Sequence, residues 1–65
     1  MYKEIKYDDG AIYKGNVENG RRHGFGKYYY PNGDIYEGSW ENGIRSGYGE
    51  IFFISGNIYK GDFKN

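Results

Sequence analysis

The tripeptides Tyr13-Lys14-Gly15, Tyr36-Glu37-Gly38 and Tyr59-Lys60-Gly61 stand 23 residues apart. The same offset carries Gly10 to Gly33 and Gly56, Ile12 to Ile35 and Ile58, and Val17 to Trp40 and Phe63. It also carries Asn19-Gly20 to Asn42-Gly43 and Gly24-Phe25-Gly26 to Gly47-Tyr48-Gly49. A chain with this period must build one supersecondary unit several times and bury the apolar face of each unit on its neighbours. In 65 residues that leaves three units, about 2–24, 25–47 and 48–65, in one domain with no linker between them.

Each unit reads as a β-hairpin. Twelve Gly and nine Tyr disfavour helices and favour short strands joined by tight turns. The clearest turn is Tyr30-Pro31-Asn32-Gly33-Asp34: Pro presets φ for a type I turn and Gly accepts the left-handed position after it. A three-residue loop there opposes Lys27 to Glu37, and the equivalent loops oppose Glu4 to Lys14 and Glu50 to Lys60. All three pairs have opposite charge, which favours this register over a two-residue Asn32-Gly33 turn opposing Tyr28 to Glu37. The expected strands are 2–7, 11–17, 25–30, 34–40, 48–53 and 57–63, with Glu18–Gly24 and Glu41–Gly47 as connections between hairpins. One face then collects Ile5, Tyr7, Tyr13, Val17, Tyr28, Tyr30, Tyr36, Trp40, Ile51, Phe53, Tyr59 and Phe63, with Gly26 facing Gly38 and Gly49 facing Gly61 in its middle. The first unit has Lys3 opposite Gly15 instead. Paired glycines leave room for flanking rings to lie over the backbone.

Composition narrows the function. Nine Lys+Arg balance nine Asp+Glu, so no long-range field collects nucleic acid or anionic lipid. The absence of Cys removes thiolate chemistry and Cys-based metal sites, and a single His builds no metal cluster. The longest apolar run, Ile51–Ile54, is far short of the ~18 residues of a membrane-spanning helix. The start, Met1-Tyr2-Lys3-Glu4, has no signal-peptide core, so the expected location is cytoplasmic.

The string Tyr36-Glu37-Gly38-Ser39-Trp40-Glu41-Asn42-Gly43, then Gly47-Tyr48-Gly49, resembles the MORN (membrane occupation and recognition nexus) repeat. Tyr13 to Tyr30 repeats it, ending in His23-Gly24-Phe25-Gly26, before Pro31-Asn32-Gly33. The resemblance implies hairpins laid side by side in one elongated, twisted antiparallel sheet, an all-β fold. It also implies a scaffold or protein-interaction module, or a contact for phosphoinositides and other anionic lipids at a membrane surface, with a location peripheral to a membrane or the cytoskeleton. No part of a catalytic domain accompanies the repeats.

Two sets of candidate residues follow. The first is the aromatic face, with Tyr13, Tyr28, Tyr36, Trp40, Tyr59 and Phe63 as anchors for a protein partner. The same rings also read as the core of a one-layer protein, shielding one another by lateral stacking. The second set is Arg21, Arg22, His23 and Arg45 in the expected inter-hairpin loops, joined by Lys27 beside them, basic residues that could grip a phosphate headgroup. Glu18 and Glu41 in the same loops counter them, so protein interaction is the favoured function and lipid attachment the alternative. Gly24-Phe25-Gly26-Lys27 approaches an RNA-binding strand motif, but Lys27 and, in the next copy, Glu50 occupy the position that needs a stacking ring. Asp8-Asp9-Gly10 reads as turn chemistry and Gly-x-Gly as strand packing. No enzyme, cofactor or metal is expected. Both edges of the sheet expose unpaired backbone and no Pro or dense charge row blunts strand 57–63, so self-association, edge to edge or face to face, is expected.

Overall fold

The computed structural model of the chain describes residues 1–64. Six strands form one sheet: β1 (Tyr2–Lys6), β2 (Ile12–Glu18), β3 (Arg21–Tyr29), β4 (Ile35–Glu41), β5 (Ile44–Phe52) and β6 (Ile58–Phe63). Their order is that of the sequence, and every neighbouring pair is antiparallel. Among the described residues there is no helix.

The expected register holds in all three hairpins. Lys27 faces Glu37, Glu4 faces Lys14 and Glu50 faces Lys60. Each loop is closed by the same backbone pattern, as in the Tyr30 N–H bond to the Asp34 carbonyl (2.9 Å) and the Gly33 N–H bond to the Tyr30 carbonyl (3.0 Å). Gly10, Gly33 and Gly56 supply the left-handed residue, with φ of 96°, 102° and 99°.

The connections between hairpins differ from the expectation. Glu18–Gly24 and Glu41–Gly47 are not loops; β3 begins at Arg21 and β5 at Ile44. The turns are the two-residue Asn19-Gly20 and Asn42-Gly43, with φ of 54° and 76°, and of 51° and 85°. Two consecutive positive φ values make a type I′ turn, whose twist matches that of the strands it joins. The chain is therefore a continuous meander. Irregularities let it pair throughout: between Gly15 and Val17 the partner strand runs from Gly26 to Arg22, and Ser46-Gly47-Tyr48 stands likewise against Ser39. These bulges are turned by Gly24 (φ 93°) and Gly47 (φ 85°).

Pairing between hairpins adds contacts the hairpins alone do not predict. Lys14 faces Lys27 and Glu37 faces Glu50. Across the sheet the row Glu4, Lys14, Lys27, Glu37, Glu50, Lys60 therefore reads − + + − − +. The apolar face carries the core: Tyr13, Val17, Tyr36, Trp40 and Ile51 are buried, and Ile5, Tyr7, Tyr28, Tyr30 and Phe63 pack against them.

Candidate functional site

A lone sheet has no second layer, so burial on its apolar face must come from the side chains themselves. Glycine makes this possible. Gly15 faces Gly26 and Gly38 faces Gly49 across neighbouring hairpins. The rings of Tyr13 and Tyr36 lie over these bare patches, and a Cβ on Gly26 or Gly49 would fall within them. Each hydroxyl donates to a carbonyl of its own strand, Tyr13 to Asn16 (2.6 Å) and Tyr36 to Ser39 (2.9 Å). Trp40 stands edge-on between the two rings, at centroid distances of 5.6 and 5.1 Å, and its Nε1–H donates to the Gly26 carbonyl at 3.2 Å. Burial pushes the Tyr13 and Tyr36 phenols up, opposed by the nearby Arg22 and Arg45 guanidinium groups respectively.

Those arginines roof the core. Arg22 lies over Tyr7, Tyr28 and Trp40 at 5.7, 5.1 and 4.8 Å, and donates to the Tyr7 hydroxyl (2.9 Å) and the Gly43 carbonyl (2.7 Å). Arg45, one repeat on, lies over Tyr36 and Phe63 and donates to the Tyr30 hydroxyl at 3.1 Å. Their planar heads complete the shielding that a second layer would otherwise give. The five candidate cations thus do not converge. Arg22 and Arg45 serve the apolar face, whereas strand alternation puts Arg21 and Lys27 on the opposite face. His23 is held on both nitrogens, Nε2 beside Glu18 (3.4 Å) and Nδ1 accepting from the Asn42 N–H (3.3 Å).

The aromatic candidates also divide. Tyr13 and Tyr36 are 0% exposed and Trp40 6%, so they are core and present almost no surface to a partner. Tyr28 and Phe63 are half-buried, and Tyr59 is 47% exposed. The large exposed rings of the interior strands lie on the opposite face: Phe25 and Tyr48 are each 55% exposed, in line with Tyr2 on β1 at 59%. These three recur every 23 residues, so they stand two strands, or ~10 Å, apart. Grooves run between them. One, of about 370 Å³, lies between Tyr2 and Phe25 over Asn16 and is flanked by Lys14 and Lys27. The next, of about 300 Å³, lies between Phe25 and Tyr48 over Ser39 and is flanked by Glu37 and Glu50. The like-charged pairs of the sheet are thus the walls of two adjacent grooves of opposite sign. The sequence carried the signal, aromatic residues at 2, 25 and 48, and the burial of the other aromatic set agrees with the reading of those rings as the core of a one-layer sheet.

A further depression, of about 490 Å³, is bounded by Tyr30, Pro31, Asn32, Asp34, Arg45, Ile51 and Phe53. Its one carboxylate, Asp34, already accepts from the Asn32 side chain and the Ile54 N–H. Among the described residues no group of three or more His, Asp or Glu could hold a metal ion.

The MORN-repeat profile matches residues 13–35 and 36–58, consecutive copies that together span most of the chain. The chain belongs to the MORN-repeat family. Repeats of this family are non-enzymatic modules that mediate protein or membrane interactions. A search of curated proteins finds no match to the chain. No helix among the described residues is long and apolar enough to cross a membrane.

Proposed function

We propose that this MORN-repeat chain is a scaffold that associates with itself and holds a protein partner on its grooved face. The observation that carries this is the pair of aromatic-walled grooves, one flanked by Lys14 and Lys27 and the next by Glu37 and Glu50. Like charges set directly opposite one another cost stability in a sheet. Their placement beside exposed rings is what a surface selected for binding would carry. The matching partner is an extended segment crossing the strands, with an acidic side chain for the lysine groove and a basic one about three residues on, at ~3.3 Å per residue. Phe25, standing between the grooves, is the apolar anchor.

The test is affinity capture from cell extract by the parent chain and by two variants, Phe25→Ser and the charge exchange Lys27→Glu/Glu37→Lys. Both substitutions lie on the exposed face, and circular dichroism checks that the fold survives. Partners captured by the parent and lost by both variants support the proposal; capture equal in all three contradicts it. Liposome flotation decides the lipid alternative. Arg21 is the one exposed arginine of the candidate set, so the expected attachment to phosphoinositide vesicles is weak and vanishes at physiological salt. Salt-resistant flotation abolished by Arg21→Ala would make this a lipid-binding module instead.

A further inference from the structure

The outer side of β6 has no strand beside it among the described residues. The last loop fixes which of its backbone groups are free. The Phe53 N–H bonds to the Asn57 carbonyl (2.9 Å), so the polar groups of Phe53 turn towards β6. By strict alternation those of Ile51 and Gly49 do the same, and those of Tyr59 and Gly61, opposite them, turn back towards β5. The N–H and C=O groups of Lys60 and Asp62 therefore point outward.

The stretch Tyr59-Lys60-Gly61-Asp62-Phe63 is complementary to its own reverse. Turned about Gly61, an aromatic faces an aromatic, Lys faces Asp, and Gly faces Gly. We propose that two copies of the chain pair antiparallel along β6, about a two-fold axis at Gly61, and so continue one sheet through both. This rests on the self-association proposed above and assigns its site.

Three observations converge on it. First, both finished tyrosine sites are built on facing glycines, Gly15 with Gly26 and Gly38 with Gly49. Gly61 against Gly61 of the second copy makes the third such patch, into which the two exposed Tyr59 rings close. Second, Lys60 meets the second copy's Asp62 twice. Asp62 stands where the earlier repeats have Asn16 and Ser39, so among the described strands β6 alone carries a charge at this place. Third, a head-to-tail join to the opposite edge is obstructed. β1 carries Lys3 where β3 and β5 carry Gly26 and Gly49, and in a head-to-tail join its Cβ would fall within the Tyr59 ring, as a Cβ on Gly26 would within that of Tyr13.

The experiment is sedimentation equilibrium of the full chain, of Lys60→Asp, of Asp62→Lys, and of the two variants mixed in equal amounts. The parent chain is expected to dimerise reversibly. Each variant sets like charges across the axis twice and is expected to dimerise at least about tenfold more weakly. The mixture, in which opposite charges meet again, is expected to recover parent-like association. A parent chain that stays monomeric to millimolar concentration overturns both the pairing and the self-association it rests on. A parent chain that dimerises, with Asp62→Lys dimerising equally well or with no recovery in the mixture, overturns the β6 pairing and leaves self-association standing by another surface.

Discussion

Tyr36 and Tyr59 occupy the same place in successive repeats, followed by Glu37-Gly38 and Lys60-Gly61, yet one is fully buried and the other half in solvent. The difference lies outside the repeat that contains them. Tyr36 lies across Gly38 and Gly49, and the second glycine belongs to the following hairpin. Phe63 then stands edge-on to it at 5.0 Å, and Arg45 caps both rings. For Tyr59 the hairpin that would supply the second glycine, the arginine and the covering ring is absent among the described residues. A repeat of this kind thus supplies half of a core site, and its neighbour supplies the rest. Burial in the array is a property of junctions, not of units.

Truncating the ring that serves two junctions should break this comparison most severely. Trp40 contacts both Tyr13 and Tyr36, so Trp40→Ala is expected to cost about 3–5 kcal/mol and to leave the chain largely unfolded. Phe63→Ala, at the equivalent place beside the open site, should cost clearly less. Chemical denaturation followed by circular dichroism measures both.

The glycines come next. Gly49→Ala places a methyl within the Tyr36 ring and is expected to cost about 1–3 kcal/mol through overpacking. Gly61→Ala meets only the end of the exposed Tyr59 ring, at 3.0 Å, so its cost in the monomer comes mainly from the Gly61 φ of 159° and should be smaller than that of Gly49→Ala. Equal losses in the two denaturation curves would mean that the ring-over-glycine packing does not hold the sheet together.

The phenols give a smaller effect with a defined pH sign. Tyr36→Phe removes the hydrogen bond to the Ser39 carbonyl, worth about 0.5–1.5 kcal/mol. Burial raises the folded-state pKa of Tyr13, Tyr28 and Tyr36 above the unfolded value. Their stabilisation is therefore fully present below the unfolded pKa near 10 and is lost as pH rises through the folded values. Tyr36→Phe should flatten part of that alkaline loss, measured as thermal midpoint against pH from 8 upward.

Smallest is the charge row. Exchanging Lys27 and Glu37 keeps their own pair and turns both like-charged neighbours, Lys14 with residue 27 and residue 37 with Glu50, into opposite-charge pairs. The row then alternates throughout. The double variant should gain about 0.5–1 kcal/mol at low salt, less at high salt, while losing the partner that the parent grooves hold.

Much of the fold was legible in the sequence because its signals are local. Pro31 with Gly33 sets the three-residue loop, that loop sets the register, and the register sorts the faces. The strands at Arg21–His23 and Ile44–Ser46 were less legible. A run of cations reads as a solvated loop, and nothing in the pattern announces that Arg22 and Arg45 lay their guanidinium planes on rings. The Asn19-Gly20 and Asn42-Gly43 turns were visible, but recognising them as tight hairpins requires the residues after them to be strand. For the candidate site, period and alternation gave the aromatic face and its reading as a core. That Tyr13 and Tyr36 would be buried completely depended on Gly26 and Gly49 reaching under their rings from the following strand, a contact between repeats. The charged grooves were hidden for the same reason, since Lys14 meets Lys27 only across a junction.

The contrast between complete and half-complete sites is read most directly from the tyrosine hydroxyl protons by NMR in dilute solution. Those of Tyr13 and Tyr36, bonded to the Asn16 and Ser39 carbonyls under a cover of rings, should exchange slowly with water. That of Tyr59 should exchange too fast to observe, and slow only as concentration rises and the open edge finds its partner. Three hydroxyls exchanging alike at every concentration would contradict it.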